Sequence, residues 1–210
     1  MQRQTTGSHL TDIEWTEELE RTLKLRNSDY GGFSNLAKMR GTWKAWVELK
    51  VCRDWCDAGF ERSVAEKIKL ISPEHDPPDV MALIAGRSIS IEVVQLVNSG
   101  HKSMAAEGEA HSRGDLFKKM QWSKERFHEE MGAVISKKVK KYSDDEKSFD
   151  VLLMFSVEPW LYSHQVEQWL PGLSVDVGST FRIVSMIMMR ETANREHMPF
   201  FTLHGDLRGL

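Results

Sequence analysis

Two acidic residues, Asp79 and Glu92, have the type and placement that a metal-binding site requires. They accompany two apolar segments, residues 80–85 and 88–96, which predict β-strands joined at Gly86-Arg87 by a two-residue turn with glycine first. In that register the acids are diagonal neighbours on one face of the hairpin, ~7–8 Å apart. Carboxylates at this separation are able to converge on one Mg²⁺ or Mn²⁺ ion, because hard divalent cations prefer oxygen ligands.

The alternation of side chains along the hairpin determines which face carries the acids. With this turn, Asp79 faces Val94 on the opposite strand. The other face is apolar at every position and is predicted to be core: Val80, Ala82, Ile84, Ile89, Ile91 and Val93. Two simpler interpretations stay open. Asp79 ends a loop while Glu92 is solvated, or a three-residue turn places the two acids on opposite faces.

One lysine, Lys138, interrupts the apolar side of a helix predicted over residues 125–142. The other residues of that side are apolar or aromatic and have helical spacing: Phe127, Met131, Val134, Ile135, Val139 and Tyr142. Lysines are rarely directed towards a core without a partner, so Lys138 is a candidate to reach the two acids. The alternative is that its stem covers apolar surface and its ammonium group returns to solvent.

A helix predicted over residues 43–58 supplies candidate auxiliary acids. Glu48 lies at the edge of its apolar stripe beside Trp55, where its side chain is able to point inward. Asp54 lies nearer the centre of the stripe and competes for the same role. Either residue is equally well explained as an ordinary acid on a helix surface.

Basic residues near these elements are candidates to hold a nucleic-acid backbone. Lys137 and Lys141 belong to a basic run at the end of the helix over residues 125–142. Three more lie in a long loop predicted over residues 98–123: Lys102, Lys118 and Lys119. Contacts from such residues to phosphates hold nucleic acid without reading its sequence. The alternative for the basic run is a solvated helix end whose cations the helix dipole favours.

The segment Asp76-Pro77-Pro78-Asp79, followed by a hairpin and then by Ile91-Glu92-Val93, resembles the signature of the PD-(D/E)XK nuclease superfamily. The resemblance implies a restriction-endonuclease-like core and metal-dependent hydrolysis of phosphodiester bonds in DNA or RNA. It implies that Asp79 and Glu92 bind Mg²⁺ or Mn²⁺, with the Val93 carbonyl as a third ligand. Glu48 matches the acid that such proteins carry on a preceding helix.

The sequence departs from that signature at the lysine, which the superfamily has two residues after the glutamate. This chain has Val94 there, so Lys138 becomes the candidate for the missing catalytic cation. The interpretation that follows is a metal-dependent nuclease. Its alternative is a catalytically inactive protein of the same fold that binds nucleic acid or a protein partner.

The order of the predicted elements is that of an α/β protein with a mixed β-sheet flanked by helices. Besides the hairpin and the two helices above, the pattern predicts strands over residues 67–71, 151–157, 181–189 and 200–203, and a helix over residues 163–170. Residues 43–210 are predicted to form the PD-(D/E)XK-like domain. Residues 1–42 are predicted to form an N-terminal helical extension, with helices over residues 11–26 and 34–40.

Composition limits the classes of protein that remain. The chain has 210 residues, of which 40% are hydrophobic and 28% charged, values that exclude wholesale disorder. Its net charge of −3 argues against a uniformly basic nucleic-acid coat, so any such surface must be local. No apolar run approaches the ~20 residues of a membrane span. The two cysteines, Cys52 and Cys56, suit free thiols, and a cytoplasmic protein is expected.

Overall fold

The computed structural model describes residues 42–73, 77–84, 86–99, 121–158, 160–189 and 198–210. All of them belong to one compact unit, Leu36–Leu210. The predicted helical extension over residues 1–42 lies outside the described residues, apart from Thr42, and so does the predicted loop from residue 100 to residue 120.

The described elements follow the predicted order of helices and strands. In chain order they are α1 (Thr42–Gly59), α2 (Arg62–Ala65), β1 (Lys69–Ile71), β2 (Val80–Ile84), β3 (Arg87–Gln95), α3 (Lys124–Ser143), β4 (Phe149–Ser156), α4 (Ser163–Trp169), β5 (Phe181–Met188), β6 (Phe200–His204) and a 3₁₀ turn (Leu207–Gly209). The six strands form one sheet in the order β1-β2-β3-β4-β5-β6. The β3–β4 and β4–β5 pairs are parallel and the other pairs are antiparallel. The prediction of a mixed sheet flanked by helices is confirmed.

The predicted register of the hairpin is wrong by two residues, although its two faces are right. Ile84 pairs with Arg87, so Arg87 belongs to β3 and the turn is not Gly86-Arg87. Gly86 directly precedes β3, and its φ of 81° is a backbone conformation that glycine adopts without strain. Because the shift is even, the predicted apolar face is unchanged, and all of its members are buried: Val80, Ala82, Ile84, Ile89, Ile91 and Val93.

Asp79 lies just outside the corrected ladder. The pairing of β2 with β3 ends where Val80 pairs with Ile91, one residue after Asp79, so Asp79 is not opposite Val94 as the predicted turn requires. Its carboxylate instead accepts from the Val93 backbone N–H at 2.9 Å.

Helices cover the two faces of the sheet. On one face α3 and α4 pack on a core cluster that includes Phe127, Met131, Leu152 and Met154. Glu92 pairs with Leu152 across the parallel β3–β4 ladder, so its side chain lies on this α3 side. The other helix, α1, contacts β1, β2, β3 and β6. Its buried apolar residues are Trp46, Val47, Val51, Cys52, Trp55 and Cys56.

No helix among the described residues is both long enough and apolar enough to cross a membrane.

Candidate functional site

Glu92 is a fully buried carboxylate whose two oxygens have very different surroundings. Its exposure is 0%. Oε2 accepts hydrogen bonds from the Lys138 ammonium at 2.7 Å and from the Tyr142 hydroxyl at 2.6 Å. Oε1 is buried and has no hydrogen-bond partner among the described residues. Buried polar atoms are normally paired, so the unpartnered oxygen marks a position where a further ligand would be stabilising.

The helix α3 holds the two donors to Glu92 in place. It begins at a Ser123 cap whose hydroxyl accepts from the Arg126 N–H at 3.2 Å. Lys138 and Tyr142 are four residues apart and therefore project from the same side of the helix. The Tyr142 ring is fixed by edge-on packing against Phe149, with ring centroids 4.7 Å apart. The phenol therefore reaches Glu92 in a defined direction.

Asp79 directly precedes β2, and each of its carboxylate oxygens accepts a hydrogen bond. Its Oδ2 accepts from the backbone N–H of Val93 at 2.9 Å, and its Oδ1 accepts from the Lys44 ammonium at 2.7 Å. Lys44 Nζ also lies 2.9 Å from Glu48 Oε1, an ion pair whose angles are not those of a hydrogen bond. Asp79 is 7% exposed and Glu48 3% exposed. Lys44 thus joins an acid from α1 to an acid from the hairpin.

The pKa values of the three acids are shifted in opposite directions, because burial and repulsion raise them while hydrogen bonds lower that of Asp79. Burial first, and then the charge of Asp79, raise the pKa of Glu48 from 4.5 to about 8, although Lys44 opposes the change. Burial also raises the pKa of Glu92, despite the nearby Lys138 ammonium. Burial acts in the same sense on Asp79, but hydrogen bonds from Lys44 and from the Val93 N–H outweigh it and lower its pKa. Such divergent pKa values among neighbouring acids are typical of functional sites.

The structure brings together most of the residues that the sequence nominates. Lys138 contacts Glu92, which is the arrangement that the sequence left open, and Glu48 faces Asp79 through Lys44. Asp54 lies apart from this cluster, where it pairs with Lys50 on α1. Val94 is half-buried in β3, and Val93 contributes its backbone N–H to Asp79. The chemical roles of these residues remain predictions.

The proposed nucleic-acid contacts are described only in part. Lys137 and Lys141 are exposed on the last turns of α3. The Lys141 ammonium donates to the Tyr142 hydroxyl at 2.9 Å and lies 4.5 Å from the centre of its ring. The other three candidates lie outside the described residues: Lys102, Lys118 and Lys119.

The sequence alone does not nominate Lys44 or Tyr142 as members of this cluster, although each has a detectable signal in the sequence. Lys44 precedes Glu48 by four residues, the spacing at which oppositely charged side chains meet on a helix. Tyr142 was assigned to the apolar stripe, but a buried tyrosine hydroxyl usually has a hydrogen-bond partner. Both signals identify a partner only once the acids are known to be nearby.

A metal ion at this site would have few protein ligands. No group of three or more His, Cys, Asp and Glu side chains arranged to hold a metal occurs among the described residues. Mg²⁺ is commonly held by only one or two carboxylates and keeps several waters, so a small ligand set suits it. Glu92 Oε1 fits such an ion because it is buried and unpartnered. Asp79 Oδ1 fits it only when Lys44 moves away.

The chain has little detectable similarity to known proteins. No family model matches it, and no curated protein matches it. Among solved structures it is similar to a protein of unknown function from Pseudomonas aeruginosa strain PAO1, described as a member of the monooxygenase superfamily. The two are 16% identical, the similarity covers 85% of this chain and 82% of that chain, and the TM-score is 0.37. At these values neither a fold nor an activity is transferred.

The identification of the chain as a member of the PD-(D/E)XK superfamily is wrong by these comparisons. No model of that superfamily matches, and the similar solved structure is assigned to a different one. The physical reason for the error is the brevity of the signature. Two acids on a hairpin and one apolar alternation suffice to produce it, and Val94 already departed from it. The observed cluster of acids and lysines does not depend on that identification.

Proposed function

We propose that this protein is a metal-dependent nuclease that hydrolyses phosphodiester bonds in DNA or RNA with Mg²⁺ or Mn²⁺. The observation that supports the proposal is the buried, unpartnered Oε1 of Glu92, close to Asp79 and beside the fixed Lys138 ammonium. A carboxylate kept in this state costs stability unless something binds it. A divalent cation is the ligand that its charge and its oxygen favour.

Asp79 and Glu92 would hold the ion, with the backbone carbonyl of Val93 as a further oxygen ligand. When bound, a divalent cation lowers the pKa of a coordinated water and neutralises charge on the phosphate. Tyr142 and Lys138 both contact Glu92 Oε2 and so keep Oε1 directed away from themselves. The contacts with Lys138 and Tyr142 would therefore orient Glu92 Oε1 as a ligand of the ion.

Lys138 and Glu48 would act on the substrate and its protons. Lys138 keeps its ammonium at Glu92, where it is suited to stabilise negative charge that develops on a phosphate. Glu48 has a pKa of about 8 and exchanges a proton near neutral pH, as a general acid or base must. Glu48 is the proposed auxiliary acid.

The proposed substrate is nucleic acid because its phosphates match the cations near the site. Lys137 and Lys141 are exposed on the part of α3 that also carries Lys138. They would contact backbone phosphates without reading sequence, and the loop lysines Lys102, Lys118 and Lys119 are proposed to do the same. The free thiols of Cys52 and Cys56 agree with a reducing compartment such as the cytoplasm.

A second candidate function is binding without catalysis, to nucleic acid or to a protein partner. The observation that favours it is the internal neutralisation of the acids. Lys44 is paired with Asp79 and Lys138 with Glu92, so the cluster has a stable arrangement without any metal.

The test compares Glu92→Gln with Asp54→Asn, a matched change at a half-buried carboxyl on α1 that pairs with Lys50 outside the cluster. Mixed single- and double-stranded DNA and RNA would be incubated with each protein and Mg²⁺ or Mn²⁺. We expect the wild type and the Asp54 variant to cleave and the Glu92 variant not to. Metal binding without cleavage of any substrate would favour the second candidate. Absence of metal binding by the wild type would contradict the nuclease proposal.

A further inference from the structure

The two proposed metal ligands differ in how ready they are to bind an ion. Glu92 has one oxygen with two donors and one oxygen with no partner among the described residues. Both oxygens of Asp79 accept a hydrogen bond, one from a backbone N–H and one from Lys44. The Val93 N–H belongs to β3 and is not able to withdraw without breaking the strand. Of the two contacts, only that of Lys44 with Oδ1 is therefore released by the movement of one side chain.

Lys44 is the member of this cluster that is best able to move. Its side chain is 32% exposed, whereas the side chains of Glu48 and Asp79 are each 4% exposed. It lies in the first turn of α1, which begins at Thr42, and its ammonium sits at the end of a flexible four-carbon stem. Rotation of that stem would carry the ammonium to solvent without any displacement of the helix.

The charge balance of the cluster indicates which kind of ligand would replace the Lys44 ammonium. Lys44 and Lys138 face the three carboxyls of Glu48, Asp79 and Glu92. When all three are ionised, which for Glu48 requires a pH above its pKa of about 8, two ammonium groups leave one negative charge uncompensated. Exchange of the Lys44 ammonium for a dication removes that excess. A dication at Asp79 Oδ1 would therefore balance the charge of the ionised cluster better than the Lys44 ammonium does.

We propose that Lys44 is a built-in competitor of the metal, which occupies Asp79 Oδ1 in the metal-free protein and must leave when a divalent cation binds. This inference rests on the proposed metal site and adds to it a defined movement of one side chain. Lys44 is here a positioning residue, since it keeps Asp79 and Glu48 together until the ion arrives.

The competition predicts that removal of the ammonium strengthens metal binding. Lys44→Met keeps the apolar stem of the side chain and removes its charge. We expect this variant to have a dissociation constant for Mg²⁺ or Mn²⁺ about tenfold lower than that of the wild type. That factor corresponds to the loss of one charge-assisted hydrogen bond. Lys50→Met is the matched control, because Lys50 pairs with an acid four residues away on the same helix but outside the cluster. Calorimetric titration with the metal alone measures both constants.

A second measurement separates displacement from simple charge repulsion. Acylation of the full-length wild type, read by mass spectrometry, reports the accessibility of each lysine with and without metal. Displacement predicts that labelling of Lys44 rises when Mg²⁺ or Mn²⁺ is added, while labelling of Lys50 does not change. A Lys44 that stays in place is labelled equally or less in the presence of metal.

The outcomes distinguish the inference from the function on which it rests. Tighter binding by the Lys44 variant together with increased labelling of Lys44 supports the inference. If the wild type binds metal but Lys44 labelling does not rise, the inference is overturned and the proposed metal site survives. If neither the wild type nor the Lys44 variant binds metal, both are overturned.

Discussion

Two carboxylates on neighbouring strands, Asp150 and Glu92, show how differently the same sheet treats acidic side chains. Asp150, in β4, has both oxygens paired. Oδ2 accepts from the backbone N–H and the hydroxyl of Ser90, each at 3.0 Å, and Oδ1 accepts from Arg182 at 3.0 Å. Burial opposes these contacts, but they outweigh it and lower the pKa of Asp150. Glu92 is more deeply buried, has one unpartnered oxygen, and has a raised pKa.

The comparison indicates that Asp150 stabilises the fold, whereas Glu92 has a buried oxygen whose lack of a partner reduces stability. Asp150 connects β3, β4 and β5 through Ser90 and Arg182, and its ionised form is the favoured one. Glu92 is held by Lys138 and Tyr142 on one side only. A buried site with incomplete pairing reduces stability, and proteins commonly retain such sites where function needs them. Variants of the two regions should therefore have opposite profiles of activity and stability.

The largest expected effect is loss of activity on removal of both proposed metal ligands. Asp79→Asn with Glu92→Gln should abolish nuclease activity and the rise in melting temperature caused by Mg²⁺ or Mn²⁺, since an ion that binds only the folded state stabilises it by mass action. Differential scanning fluorimetry and a cleavage assay measure the two effects. Asp54→Asn, the control, should retain both. An equal metal-induced shift in the double variant and the wild type would show that the ion binds elsewhere.

Substitution of Lys138 should separate catalysis from metal binding. Lys138→Met keeps the stem that packs beside Tyr142 and removes the charge, so we expect cleavage to fall by ~10²–10³, the typical contribution of one positioned electrostatic group. The metal-induced shift in melting temperature should persist. Lys124→Met, at an exposed position at the start of the same helix, should cut at close to the wild-type rate. Unchanged cleavage by the Lys138 variant would make Lys138 only a partner of Glu92.

Asp150 should show the opposite profile. Asp150→Ala leaves Ser90 and Arg182 without their acceptor, and we expect a loss of ~1–3 kcal/mol in the free energy of unfolding. Urea denaturation followed by circular dichroism measures this loss. Metal binding and cleavage per folded molecule should stay at the wild-type level. A variant that is as stable as the wild type would remove the distinction between the two acids.

The last expected effect is a difference in pH dependence in metal-free buffer. The pKa of Glu48 is raised from 4.5 to about 8, so the folded state binds this proton more tightly than the unfolded state does, and stability should fall as pH rises through that window. The pKa of Asp150 is lowered below 3.8, so its contribution is present above that value and is lost as pH falls through the folded-state pKa.

Variants of each acid test these slopes. Glu48→Gln should reduce the decline in stability between pH 4.5 and about 8, while Asp150→Asn should leave that decline in place and reduce the loss on the acid side. Urea midpoints measured across pH give both slopes. Identical profiles for the two variants would contradict the assignment of opposite shifts.

The sequence predicts the elements and the faces of the hairpin, but not the details of the site. Strict alternation in β2 and β3 determines which residues are buried, because a strand exposes every second side chain to one face. The register of the hairpin depends on whether Gly86 is the first or the second residue of the turn. Glycine adopts a positive φ at either position, so the sequence does not decide between them. The contact between Lys138 and Glu92 was one of two open alternatives, since periodicity places a side chain on a face but does not say what lies opposite.

Lys44 illustrates a further limit. Its spacing from Glu48 is visible in the sequence, but its contact with Asp79 depends on how α1 packs against the hairpin. That packing is a tertiary property to which local patterns contribute little. The family resemblance failed for a related reason, because a short motif carries too little information to identify a fold.

The acid cluster is assembled from segments that are far apart along the chain. Lys44 and Asp79 are 35 residues apart, and Glu92 is 46 residues from Lys138 and 50 from Tyr142. Closing such loops costs chain entropy before any contact compensates for it, and the parallel pairing of β3 with β4 adds another long-range requirement. A partly folded chain that has formed only the hairpin has Asp79 and Glu92 without either lysine. Metal affinity would therefore report on the docking of α1 and α3, so that a metal-sensitive signal during refolding would follow the last tertiary contacts and not the formation of the sheet.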